Sequence, residues 1–214
     1  ALAWSPKTKL QIADEFETTG RSTPATRKLV ANSTENTGEG WSRLVLADFR
    51  TAWEKQSSIS FYGKDGKRKL TQRLDLLKKL SANSEKILNQ ADIRLRFVMI
   101  DGLKRAYTDL TNEINSSPIP EGIPAEQVPM VKQSLAELAA PFAERAKNYS
   151  ELYSTELSKV KDSSDSEYGT QIAASDRPTF EYSASKRAVA TTGVLKTESV
   201  RDALAALSRV PDDT

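Results

Sequence analysis

The chain has 214 residues, 38% hydrophobic and 28% charged, with nine glycines and nine prolines, which fits one large or two small packed domains. It contains neither histidine nor cysteine, and this removes the commonest general base, the commonest zinc ligands, every thiol nucleophile and any disulfide framework. A formal net charge of +2 is too small to draw the whole molecule onto nucleic acid or anionic lipid, so charge has to be judged locally.

Ser5-Pro6 is a cap-and-proline helix start, and Leu10, Ile12, Ala13 and Phe16 form an apolar stripe that Gly20 stops. Thr23-Pro24 repeats the start, with Ala25, Leu29 and Val30 as the next face, so a helical hairpin is predicted over 5–33. Asp14, Glu15 and Glu17 cluster on the first of these helices. A glycosidase needs two acids facing each other across a cleft, and no partner acid is identifiable, so a solvated helix face is expected.

The turn-rich NSTENTGEG linker leads to Trp41, Leu44, Val45, Phe49, Ala52 and Trp53 at helical spacing, which predicts a helix over 40–56 with core-filling tryptophans. SSISFYGKDG then breaks the pattern. Leu70, Leu74, Leu77, Ile87 and Leu88, followed by Ala91, Leu95, Val98, Gly102, Ala106, Leu110 and Ile114, predict a long helix over 67–115, with an interruption possible near Ala82-Asn83-Ser84.

Five prolines fall between Ser116 and Ala146. One proline inside a helix costs about 3 kcal/mol, so their placement is informative. Pro118 and Pro120 suit an extended connector, Pro124 and Pro129 a tight first turn, and Pro141 a kink inside the next helix, over 124–160. Val128, Val131, Leu135, Leu138, Phe142, Tyr149, Leu152, Leu157 and Val160 make a seam on that helix, expected antiparallel to residues 85 to 115.

Residues 162–214, rich in Ser, Thr, Ala and Asp, lack a sustained period and read as a tail, ending in a short amphipathic helix over 198–209 with Val200, Leu204 and Leu207. Asp162, Asp165 and Glu167 lack the glycine and terminal glutamate of a calcium loop, so no metal is expected there. Docking of the terminal helix back into a groove of the helical body would mask a partner site.

Between Lys64 and Arg105 twelve basic residues stand against five acidic ones, a local charge of +7. Such a stretch suits phosphates or an acidic partner, although basic residues interspersed with leucine on helices more often form a solvated face; Arg94, Arg96, Lys104, Arg105 and Tyr107 are the candidate partner-binding residues. No aromatic ring interrupts it between Tyr62 and Phe97, so the alternation of rings and charges used by single-strand binders is missing, and no nucleic acid is expected. No apolar run is long enough to span a bilayer. Ala1 to Trp4 carries no signal pattern, which leads us to expect a start behind a removed signal or within a longer protein.

Over residues 5 to 160 the chain resembles divergent tetratricopeptide-repeat proteins of deltaproteobacterial cell envelopes, including those attached to myxobacterial gliding-motility machinery. Ile12, Ala13, Phe16, Gly20, Ala25 and Leu29 stand at the repeat's positions for small residue, aromatic, turn glycine and second-helix alanine. A Lys/Leu-rich helix (KRKLTQRLDLLKKL), a helix ending in RAYTDL, the SPIPEGI connector and an LAELAAPFAERA helix resemble an expanded repeat hairpin. The resemblance implies an all-α fold of antiparallel hairpins, a solenoid fragment or compact bundle, without catalysis or cofactor. It also implies other proteins of an envelope complex as partners, at a periplasmic or outer-membrane site. The alternative is a self-assembling structural bundle that uses the 128–160 seam between chains.

Overall fold

Proline and glycine punctuation sets the order of the elements. The structure is a computed structural model that describes residues 6–21, 23–31, 39–63, 65–161 and 163–183. Among the described residues the fold is all-α, with seven helices: α1 (Pro6–Thr18), α2 (Pro24–Ala31), α3 (Glu39–Ser57), α4 (Gly66–Leu88), α5 (Ile93–Asn115), α6 (Val128–Ser158) and α7 (Ser164–Ala174). The 198–209 segment lies outside the described residues.

Thr23 caps α2, its hydroxyl accepting from the Thr26 N–H at 3.2 Å, and Pro24 occupies the first turn where its missing N–H costs nothing. Asp14 of α1 caps α3 from outside, its carboxylate accepting from the Trp41 N–H at 2.9 Å. A carboxylate there also meets the positive end of the α3 dipole. The acidic cluster on α1 thus contributes a cross-helix cap.

Residues 67–115 are two helices, not the single long one that the apolar pattern predicts. Asp92 makes the break: it sits in extended geometry and its side chain accepts from the Arg94 and Leu95 N–H groups at 2.9 and 3.0 Å, which starts α5 afresh. The chain turns at 89–92 and α5 returns antiparallel to α4. No interruption occurs at Ala82-Asn83-Ser84, where Ser81 and Ser84 direct their hydroxyls to the carbonyls one turn back and α4 runs on.

The proline connector behaves as its chemistry requires. A single 3₁₀ turn, Ala125–Gln127, precedes α6, and Pro129 falls within the first turn of α6, where no internal N–H bond is due. Pro141 lies inside α6 with its ring exposed, and the helix continues through it. Residues after 162, read as a tail from their composition, begin with a further helix. Ser163 caps α7 by accepting from Ser166 N–H at 3.3 Å, and Asp165, Gly169 and Ile172 are buried against the body.

At the centre lies α5. Thirteen of its 23 residues are buried, which encloses it on more than one face, and α3, α4, α6 and α7 all pack on it. Leu95, Phe97, Val98, Met99, Ile100, Leu103, Ala106, Leu110 and Ile114 are each no more than 1% exposed. Phe97 meets Tyr153 of α6 with ring centroids 5.2 Å apart, and lies against Gly169 of α7, where a Cβ would stand 2.9 Å from its ring. Glycine is therefore what lets α7 approach α5. Arg73 of α4, 2% exposed, pairs with Glu113 of α5, donates to Gln56 Oε1 at 3.3 Å and lies over the Phe61 ring.

Replacing Phe97 by alanine should cost about 3–5 kcal/mol of unfolding free energy, from lost burial plus an uncollapsed cavity. Urea titration by circular dichroism checks this. Glu156 of α6 is a pH reporter. Burial pushes its carboxyl up, but the hydrogen bonds and charges of Lys159 and Arg96 outweigh burial and hold it below the ordinary value of 4.5. A depressed folded-state pKa gives stability that is present above the ordinary value and lost as pH falls through the folded one. The urea-midpoint gap between the native chain and Glu156→Gln should accordingly be widest at neutral pH and close in acid.

Candidate functional site

The five candidate partner-binding residues all lie on α5, and the fold spends them internally. Arg94, 6% exposed, donates from Nε to Asp165 Oδ1 at 2.7 Å and from Nη2 to the carbonyl and hydroxyl of Ser164 at 3.4 and 3.3 Å, with its guanidinium 4.9 Å from the Tyr168 ring centroid. Arg96 donates to Glu156 at 3.1 Å and to the Ala91 carbonyl at 2.9 Å. Lys104 and Arg105 flank Asp101, 1% exposed, at 2.8 and 2.5 Å. Tyr107 shares a hydrogen bond with Ser81 at 2.8 Å and stacks on Tyr149 of α6 at 5.8 Å. The open basic surface expected from the +7 stretch is corrected accordingly: a charge on an enclosed helix must be partnered inside the fold or cost several kcal/mol. The exposed cations of that stretch lie on α4, at Lys67, Arg68, Lys78, Lys79 and Lys86.

Two of the five reach beyond α5 to grip an extended segment. After α7 the residues 175–183 run without regular structure over the surface of α3 and α5. Arg105 Nη2 donates to the Ser175 carbonyl at 2.7 Å, the Tyr168 hydroxyl to the Glu181 carbonyl at 2.8 Å, and Arg94 Nη1 to the Ser183 carbonyl at 3.3 Å. The body therefore holds the main chain of this strap through side-chain donors.

Two aromatic anchors supply the rest. Phe180 lies among Trp53, Phe49 and Arg50, at 5.4 and 6.1 Å between ring centroids and 6.0 Å from the guanidinium. Gly102 forms the floor beneath it. A Cβ there would stand 2.7 Å from Phe49 and 3.8 Å from Phe180, so the roughly 1 kcal/mol that glycine costs a helix interior is offset by close packing. Trp53 completes the floor, its indole N–H donating to the Gly102 carbonyl at 2.9 Å.

Tyr182 donates its hydroxyl to Asp92, the cap of α5, which Ser42 also reaches at 3.4 Å. Burial, the hydrogen bond to Asp92 and that carboxylate's charge together push the Tyr182 phenol up, so it remains a neutral donor across the physiological range. Phe180 and Tyr182, two apart in an extended chain, address the same face. Phe180, Tyr182 and Tyr168 were not singled out from the sequence, although the alternation in Thr179-Phe180-Glu181-Tyr182 behind Pro178 is the signal that marks the first two.

A second feature stands at the other end of α5. The Phe97–Tyr153, Tyr107–Tyr149 and Arg96–Glu156 contacts make α6 antiparallel to α5 and set Asn115 level with roughly Ala139. Residues 128–138 of α6 thus lie beyond the last residue of α5, over about 16 Å, with Leu135 still packed on the core. Ala139 is the first buried residue of α6; before it Met130 is 68% exposed and Leu138 46%, with Val128 and Val131 half-buried.

An open trough along the outer face of α4, from Asp65 to Lys79, is lined by residues of that helix and its N-terminal turn alone. Among the described residues no group of three or more carboxylates, histidines or cysteines lies together as metal ligands would, and no helix is long and apolar enough to cross a membrane. Comparison of the chain with protein-family models, with curated proteins and with solved structures finds no match.

Arg94 tests the strength of this arrangement. Arg94→Met removes the guanidinium 2.7 Å from buried Asp165 and should cost about 1–3 kcal/mol, and adding Asp165→Leu should cost less than the sum of the two single losses, because the pair is then removed together. Urea melts of both variants and of Asp165→Leu alone, combined as a double-mutant cycle, measure the coupling.

Proposed function

We infer that the chain is a non-enzymatic scaffold that binds other proteins, as one part of a larger bacterial envelope assembly of the motility, secretion or surface kind. The overhang of α6 carries this inference. A helix that runs about three turns past its partner, with Met130 and Leu138 in solvent, is an unfilled packing position: in helical arrays each unit buries its faces against a neighbour. The envelope setting and the class of assembly rest on the resemblance of residues 5 to 160 to tetratricopeptide-repeat proteins.

The overhang also supports a second reading, self-assembly, since another copy of α6 fits the same edge. The 128–160 seam is not free for this purpose over its whole length. Leu135, Phe142, Leu157 and Val160 pack on the core and Tyr149 and Tyr153 are buried there, which leaves Met130, Leu138 and Leu152 as its large apolar side chains open to a second chain.

A photo-cross-linking residue at position 138, compared with one at Lys79 on the outer face of α4, tests the proposal in envelopes of the native host. A discrete adduct with a different polypeptide at 138 and none at 79 is expected. Met130→Glu, made in the chain that carries the cross-linking residue at 138, should weaken it severalfold while changing stability by no more than about 1 kcal/mol, as is usual for exposed positions. An adduct at twice the chain mass, with light scattering that grows with concentration, would instead establish self-assembly. No adduct at either position removes the scaffold.

A further inference from the structure

The strap over α3 and α5 has the chemistry of a bound peptide rather than of a folded element. Among residues 175–183 none is buried, while the surface beneath contains Phe49, 4% exposed, and Gly102. The strap's main chain is held by Arg105, Tyr168 and Arg94, donors that accept any sequence in extended form. Among the described residues, selectivity comes from two side chains: Phe180, in the aromatic corner of Phe49 and Trp53, and Tyr182, hydrogen-bonded to Asp92. Main-chain capture plus alternate side-chain pockets is the general scheme by which proteins recognise extended peptides.

We propose that the groove between α3, α5 and α7 is a recognition site for an extended segment of another polypeptide carrying Phe-x-Tyr, and that residues 179–183 are its resident cis ligand. The proposal deepens the scaffold function by giving its partner a chemistry. The resident strap itself supplies that chemistry: an aromatic ring flat enough for the Gly102 floor, and a phenol two residues on for the Asp92 carboxylate. Tethering gives the strap an effective concentration of the millimolar order, so an incoming segment must compete with it. A half-buried element without regular backbone hydrogen bonds opens before the buried helices do.

Fluorescence anisotropy with a labelled peptide of sequence DRPTFEYSASK, matching residues 176–186, tests this on the full chain. Phe180→Ala removes the cis anchor and leaves the groove intact, so it should bind the peptide at least about tenfold more tightly than the native chain does. A peptide with alanine in place of its Phe should not compete. Circular dichroism shows that the variant is folded; a folded variant that binds no peptide, or binds it no better than the native chain, overturns the proposal. Nuclear magnetic resonance of the native chain is a second test that needs no variant. Excess peptide should shift the amide signals of residues 179–183 towards those of a released segment, and signals that excess peptide leaves unchanged would falsify displacement. A native-chain dimer that Phe180→Ala abolishes makes a second copy the occupant and rejects a foreign partner. Peptide failure with the position-138 adduct retained rejects the groove alone.

Discussion

Enclosure of α5 is the constraint to which the other elements answer. A helix packed by four neighbours has little surface on which to leave a charge in water: Asp109 is exposed, but Arg94, Arg96, Asp101, Lys104, Arg105 and Glu113 are buried or half-buried. An unpaired ion in such a place costs several kcal/mol, against at most about 1 kcal/mol returned by an exposed pair. Every one of those charges therefore dictates a partner: Asp165 on α7, Glu156 on α6, Arg73 on α4, and Lys104 and Arg105 around Asp101. The position of α7 follows from Arg94 as much as from the apolar contact of Ile172.

That same constraint explains what was legible in the sequence. Helix starts could be read from Thr23-Pro24 and from the prolines around 118–129, because capping and proline sterics act within a few residues. The antiparallel pairing of α5 with α6 could be read from two apolar seams joined by a short connector. Asp92 was not read as a break, since the apolar pattern stays in phase across 88–95 and a single N-cap aspartate does not disturb it. The α7 helix was missed because its buried face consists of Asp165, Gly169 and Ile172, of which only one is an apolar side chain of any size.

The candidate site was legible in its donors and not in its acceptors. Arg94 and Arg105 stood out as cations in a basic stretch. What they hold, the carbonyls of Ser183 and Ser175, has no signature in side-chain sequence, and the contacts span 89 and 70 residues. Charge pattern alone cannot distinguish a cation facing solvent from one turned inward. Burial of the helix that carries it decides, and burial is a tertiary property. Hence the exposed cations of that stretch ended on α4, whose outer face no other described element covers, and the inward ones on α5.

The overhang and the groove differ in the thermodynamics they offer a partner. At the overhang an apolar edge is already in water, so association simply removes Met130 and Leu138 from solvent at roughly 25 cal/mol per Å² and needs no rearrangement of the chain. In the groove the same kind of surface is already covered by Phe180, and an arriving segment gains only the difference between its own contacts and those it displaces. Contact at the overhang is thus set by concentration alone, while occupancy of the groove depends on how well the newcomer matches Phe-x-Tyr. Gly102 and Asn115 are separated by about 20 Å along α5, one rigid helix, so both surfaces are carried on a single frame. A partner docked at the overhang would hold its chain near the groove, raising the local concentration of any Phe-x-Tyr segment it carries against the tethered strap.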